Sequence, residues 1–210
     1  MKIIQDLLTI NEFSRPNKKI KEVRYIVLHW VANPKSTVVN NRDWFEKRKD
    51  GKAGYGSAHY IIDGDMVLQC IPDEELAYHV GSSNGYSDAT KKEFGDESPN
   101  YYMIGIELCH PDWTGEFTKE TLESAKKLCY LLMMEYGLSV EKITTHFNVV
   151  GWKNCPKYFV DKPEEFKKFK ESIMEIPFLQ KDDDILVGVK NGKYKILKDG
   201  KTFYKELDDV

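Results

Sequence analysis

Val23-Arg24-Tyr25-Ile26-Val27-Leu28-His29 is a short β-rich run whose apolar residues follow one another instead of alternating. It predicts a strand buried on most of its length, with His29 delivered at its C-terminal end. Downstream, residues 58–62 and 66–71 are two strand-like runs around Asp63-Gly64-Asp65, a hairpin signal. Residues 103–108 and the short run Ile143-Thr144-Thr145-His146 supply two more strands. Between them the period changes. Residues 41–49 are helix-forming, with Trp44 and Phe45 on one side and Gly51 as a stop. Thr118 can cap a long helix in which Leu122, Ala125, Cys129, Leu132 and Tyr136 repeat at helical spacing, and Gly137 ends it. Asp161-Lys162-Pro163-Glu164 reads as a D-x-x-E box opening a further helix with Phe166, Phe169 and Ile173 as its stripe. Strands alternating with helices predict an α/β fold, a mixed central β-sheet flanked by helices.

The two ends of the chain differ from this pattern. The first segment runs into the turn-rich Arg15-Pro16-Asn17-Lys18-Lys19 and is expected to be an irregular arm. After Lys181, residues 185–189, 193–197 and 202–204 are three short strands joined by Asn191-Gly192 and Asp199-Gly200. This small C-terminal β-meander is marginal as an independent fold. The expected division is a main domain over 1–178 and an appendage over 179–210. A length of 210 residues fits one good-sized domain with such an appendage.

Composition excludes several classes of function. Lys+Arg of 31 against Asp+Glu of 34 leaves no basic excess, so nucleic acid is not an expected partner. The apolar runs are short, 128–134 being typical, whereas a transmembrane segment needs about 20 residues. Gln5 and Asp6 interrupt the first apolar stretch too early for a signal-peptide core. Cys70, Cys109, Cys129 and Cys155 are far apart with no C-x-x-C pair, which disfavours a disulfide scaffold and fits reduced thiols. Cys70, Cys109 and Cys129 read as packed core thiols, and His110 beside Pro111 as a surface residue opening a loop.

His29 and His146 sit at the ends of predicted strands, and Cys155 follows nine residues after His146. Two neutral imidazoles and one thiolate make a three-ligand zinc set with one tetrahedral position left for water. Two packed histidines and a buried free thiol explain the same residues without a metal. Glu107 shifts the balance, because it interrupts the otherwise apolar Met103-Ile104-Gly105-Ile106-Glu107-Leu108 and shares a face with Gly105 and Cys109. A carboxylate there is costly unless paired, hydrogen-bonded or poised at a site. The other reading is a solvent-facing residue on an edge strand. Lys153, two residues before Cys155, would point the same way in an extended segment and could stabilise an oxyanion. By residue type alone it is a surface lysine.

Taken with their neighbours, these residues resemble the zinc-dependent N-acetylmuramoyl-L-alanine amidases of type 2, the group that includes phage amidases and peptidoglycan recognition proteins. The resemblance rests on Ile26-Val27-Leu28-His29-Trp30, Ser57-Ala58-His59-Tyr60-Ile61-Ile62-Asp63 and Ala77-Tyr78-His79-Val80-Gly81. It continues through Asn100 with Ile104-Gly105-Ile106-Glu107-Leu108, and closes on His146 with Lys153-Asn154-Cys155-Pro156. Roughly residues 20–160 are covered, with the motifs in the family's order. The resemblance implies a type 2 amidase-like fold and Zn2+ held by His29, His146 and Cys155, the last being Asp in some relatives. It implies Glu107 as the catalytic carboxylate and Lys153 as the residue assisting the oxyanion. His79 and Asn100 match positions lining the substrate groove. Some relatives have a catalytic tyrosine where this chain has Ala58, so Glu107 would do the acid–base work alone. His59 is expected to support the core or the site, not to bind metal.

The implied activity is zinc-dependent hydrolysis of the amide between N-acetylmuramic acid and L-alanine in peptidoglycan. The implied setting is that of an endolysin, cytoplasmic until host lysis and acting at the bacterial cell wall. A leaderless autolysin is the other setting. The meander is expected to serve wall binding or self-association. Three other functions compete. A non-catalytic peptidoglycan-binding module would lack a ligand, and this chain keeps all three. A cysteine peptidase using Cys155 with His146 is disfavoured by Pro156, which has no N–H for an oxyanion hole. A zinc peptidase cutting within the stem peptide is disfavoured only by the resemblance. Trp30, Tyr55, Tyr78, Trp113 and Trp152 flank the motifs and are explained equally well by packing, so they are left out of the site.

Overall fold

The computed structural model describes residues 2–174 and three C-terminal strands; of the strands' side chains, and of residues 175–184, nothing is described. The strands are β1 (Lys2–Gln5), β2 (Tyr25–Trp30), β3 (Tyr60–Asp63), β4 (Met66–Gln69), β5 (Met103–Leu108) and β6 (Ile143–Thr145). The helices are α1 (Val38–Lys47), α2 (Asp88–Phe94), α3 (Lys119–Tyr136), α4 (His146–Val150), α5 (Lys157–Asp161) and α6 (Pro163–Met174). The six strands form one sheet in the order β1-β4-β3-β5-β2-β6. It is mixed: β3 and β4 pair antiparallel as the expected hairpin, and every other pairing is parallel.

Local chemistry sets the element ends. Thr37 and Asn40 form a reciprocal capping box on α1. Thr118 accepts from the Thr121 N–H at the start of α3, and Gly137 ends it in the left-handed region at φ 63°. Gly64 turns the β3–β4 hairpin at φ 59°.

Alternation along the strands divides the core in two. Ile26 and Leu28 of β2 share a face with Ile104, Ile106 and Leu108 of β5 and pack against Ala125, Leu128 and Cys129 of α3 and Phe169 and Ile173 of α6. Burial of each such aliphatic side chain stabilises by roughly 1.5–3 kcal/mol. The opposite face is covered by two separate clusters. One joins Val38 and Phe45 to Ala58, Ile61, Leu68 and Cys109. The other joins Val27 and Met103 to Phe94, Val149 and Val150. His29, Gly105 and Glu107 belong to this same face by strand alternation. The functional pocket opens there.

Four features depart from the sequence reading. The N-terminal arm contains a strand, β1, whose Ile3 pairs with Val67 and is buried in the core; two isoleucines are too short a run to show a period. The helix α2, capped by Ser87, has no counterpart in that reading. Asp161 ends α5 instead of capping α6, and its carboxylate accepts from Asn154 Nδ2 and Lys157 Nζ. His110 is buried, not on the surface: its ring lies against Trp30 at 4.7 Å between centroids, and Nδ1 donates to the Asp112 carbonyl at 2.7 Å. Cys70, Cys109 and Cys129 are buried free thiols, as expected.

The C-terminal strands β7 (Ile185–Lys190), β8 (Lys193–Lys198) and β9 (Lys201–Glu206) form a separate antiparallel sheet in chain order. The expected boundary at 178/179 lies outside the described residues. Among the described residues, no helix is long and apolar enough to cross a membrane.

Candidate metal and catalytic site

Three neighbouring parallel strands, β5, β2 and β6, bring the candidate groups to one end of the sheet. The register sets His29 directly beside Glu107 across β2 and β5, and Leu28 beside Thr145 across β2 and β6. The carboxyl ends of parallel strands are where open α/β sheets place their ligands. His146 is not the last residue of its strand, as the sequence suggested, but the first of α4; Thr145 caps that helix by accepting from the Asn148 N–H at 3.2 Å. The following segment returns beside it, tied by the Phe147 N–H to the Cys155 carbonyl at 2.9 Å. Cys155 Sγ thereby comes to 3.7 Å from His29 Nδ1. One potential ligand atom from each of His29, His146 and Cys155 lies within 4.8 Å of the others. All three residues are buried, 2–3% exposed.

Burial without partners defines the chemistry of this cluster. Both ring nitrogens of His146 and Oε2 of Glu107 are buried with no hydrogen-bond partner. Each such atom costs about 1–3 kcal/mol, so the arrangement fits a ligand better than a packed core. Burial, reinforced by His146, His79 and Lys153, holds His29 well below the ordinary histidine range. Burial and then Lys153 bring His146 to about 3. Both rings are neutral and able to offer a lone pair. Burial, with Glu107 nearby, pushes the Cys155 thiol up to about 12; a bound cation would deprotonate it. Two imidazoles and a sulfur fit zinc in a site that keeps a fourth position open.

Glu107 stands on a central strand between β3 and β2, which removes the edge-strand reading. Burial raises its carboxyl from 4.5 to about 8, and the Lys153 ammonium opposes only part of that rise. Glu107, Lys153 and the three candidate ligands line one pocket of about 420 Å³.

His79 and Asn100 also line this pocket, but both ring nitrogens of His79 and Oδ1 of Asn100 are engaged within the protein. Asn100 Oδ1 accepts from the backbone N–H groups of His79 at 3.1 Å and Val80 at 3.0 Å. His79 bonds the Met103 carbonyl through Nε2 and His29 Nε2 through Nδ1, each at 3.0 Å. His59 is fully buried and supports the strand: Nε2 bonds the Glu75 carbonyl at 2.9 Å, and Nδ1 accepts from the Gly105 N–H at 3.0 Å. Gly105 is required by contact, since a Cβ there would lie 2.5 Å from Cγ of His79. Ala58 is buried in the core.

Some lining residues were left out of the site by the sequence reading and others were missed by it. Trp30, Tyr55 and Tyr78 line the pocket, with Trp44 and Arg48 of the α1 region. Trp44, expected on one side of its helix with Phe45, is instead 53% exposed while Phe45 is buried. Trp113 and Trp152 are exposed and lie outside this lining.

Comparison with known proteins agrees with this geometry. A probable N-acetylmuramoyl-L-alanine amidase of Bacillus licheniformis is 31% identical over 173 residues, 82% of this chain and 47% of the relative. N-acetylmuramoyl-L-alanine amidase BlyA of Bacillus subtilis (strain 168) is 29% identical over 171 residues, 79% of this chain and 45% of the relative. The chain thus spans about half the length of the curated relatives it matches. Among solved structures, the catalytic domain of XlyA superposes with a TM-score of 0.64 at 24% identity, covering 82% of this chain and 99% of that one. PlyL gives 0.65 at 22% identity, covering 82% and 97%. These two share the mixed six-stranded fold. The profile of one family, N-acetylmuramoyl-L-alanine amidase, matches residues 19–158, and with these relatives it establishes that the chain belongs to the Amidase_2 family.

Proposed function

We propose that the protein is a zinc hydrolase that cleaves the amide between the lactyl group of N-acetylmuramic acid and the L-alanine of the peptidoglycan stem peptide. The observation that carries this reading is the meeting of His29, His146 and Cys155 in one pocket with Glu107, whose Oε2 has no partner. The amidase names of the relatives point to the same bond.

Zinc, when bound, supplies Lewis-acid polarisation of the amide carbonyl and makes water more acidic. Glu107 accepts a proton from the attacking water and delivers it to the departing alanine nitrogen. A carboxyl raised by burial suits the delivery of the proton, and beside a bound cation it would come down to the carboxylate that accepts one. Lys153 stabilises the carbonyl oxygen as it becomes negative. A bond forms between the water oxygen and the carbonyl carbon, the carbon–nitrogen bond breaks, and a lactyl carboxylate and a free α-amine leave. The cysteine-peptidase reading asks for a thiolate, and a thiol pushed up to about 12 does not provide one.

The setting we infer is that of an endolysin reaching the wall after lysis, with the C-terminal strands serving wall attachment or self-association. The test is to incubate purified walls with the protein and measure new lactyl carboxyl groups against new N-terminal alanine. Equal release of both, abolished by a chelator and restored by zinc, is the expected result. New N-termini from within the stem peptide would replace the amidase with a peptidase. Full activity in chelator, lost on thiol alkylation, would restore the cysteine mechanism.

A further inference from the structure

The contacts around His79 fix which nitrogen of a neighbouring ring is available. A carbonyl oxygen can only accept, so His79 Nε2, at 3.0 Å from the Met103 carbonyl, carries the hydrogen. In a neutral imidazole the other nitrogen is then a bare acceptor. That nitrogen, His79 Nδ1, lies 3.0 Å from His29 Nε2, so His29 Nε2 must be the donor. His29 therefore keeps its hydrogen on Nε2 and offers the lone pair of Nδ1, the atom 3.7 Å from Cys155 Sγ. The His79 ring cannot easily move away. Its backbone N–H is held by Asn100 Oδ1 at 3.1 Å, and Gly105 runs so close beneath it that a Cβ would reach Cγ at 2.5 Å.

We propose that His79 is a positioning residue for metal binding: by accepting from His29 Nε2 it locks the tautomer and the rotation of His29 so that Nδ1 points into the ligand cluster. This assigns His79 a role distinct from lining a substrate groove, and it rests on the zinc reading above. Outer partners of ligating histidines commonly act this way, and their loss weakens metal affinity or activity by about 10–100-fold.

The test measures zinc affinity of the whole chain by competition with a chromophoric chelator, for wild type, His79→Leu and His79→Asn. His79→Leu should bind zinc about 10–100-fold more weakly. His79→Asn, whose Oδ1 can stand where Nδ1 stands, should recover most of the loss. A long-range 1H–15N spectrum of the metal-free wild type should show both His29 and His79 protonated on Nε2. Finding His29 protonated on Nδ1, or a folded His79→Leu chain with wild-type zinc affinity, overturns the proposal. A wild type that binds no zinc overturns the metal reading beneath it, and the tautomer spectrum separates that failure from this one. Should His79→Leu not fold, the asparagine variant and the spectrum decide.

Discussion

Replacing Glu107 with Gln tests the site where its physical cost is largest. The carboxyl ionises at 4.5 in the ordinary state and near 8 in the folded chain, because burial opposes the charge more strongly than Lys153 favours it. Between these values the folded state holds a proton that the unfolded state has released, so the contribution of Glu107 to the stability of the metal-free protein falls as pH rises and is fully lost above about 8. The buried His146, held down to about 3, contributes with the opposite sign below the ordinary histidine range. At ~1.4 kcal/mol per pH unit, the full loss is on the order of 5 kcal/mol. With a urea slope of roughly 2 kcal/mol/M, this is a difference of about 2.5 M between the unfolding midpoints of wild type and variant. Glu107→Gln keeps the shape and removes the titration. The assay is urea unfolding of zinc-free wild type and Glu107→Gln at intervals from about pH 4 to 9. The two should be similarly stable near pH 4, and the wild type should weaken relative to Glu107→Gln as pH rises through the window, the difference levelling off above about 8. Added zinc should shrink that difference, since a nearby cation favours the carboxylate. In wall hydrolysis the same variant should lose about two to four decades of turnover with zinc content unchanged. Parallel pH profiles for the two proteins would refute the buried, unpartnered carboxylate, and an unaltered rate would remove Glu107 from the mechanism.

Three further outcomes are expected. Cys155→Ser should lose bound zinc, while Cys155→Asp retains part of it because a carboxylate oxygen is an acceptable ligand; metal analysis after gel filtration reads both. Lys153→Ala should lower kcat by roughly 10²–10³ and move KM less, as for a group that acts on transition-state charge, and a change confined to KM would make it a binding residue. A chain ending at Gln180 should still hydrolyse soluble muropeptides but lose affinity for intact walls or change oligomeric state in light scattering. Loss of soluble hydrolysis with zinc still bound would place the C-terminal segment in the active site.

Local patterns made much of the fold legible. The unbroken run into His29, the hairpin at Gly64 and the helix from Thr118 to Gly137 each carry their signal within a few residues. The ligand candidates His29, His146 and Cys155, with Glu107 and Lys153, were legible through the order of five short motifs. Two of the missed features share one property, unlike helix α2 with its local Ser87 cap. Strand β1 exists because Ile3 pairs with Val67, and His110 is buried because Trp30 covers it; in each case the partner is distant in sequence. Pocket residues such as Tyr78 and Arg48 likewise become neighbours of Glu107 only when α1 and the loops close over the sheet.

The sequence by itself determined the alternation of strands and helices and the residue types able to hold zinc and move a proton, because periodicity and side-chain chemistry are local properties. The tertiary structure alone decided that His29 stands beside Glu107, that three potential ligand atoms converge, and that His79 engages the outer nitrogen of His29. Register between parallel strands and the direction of a hydrogen bond depend on groups brought together across the chain, and no local pattern encodes either.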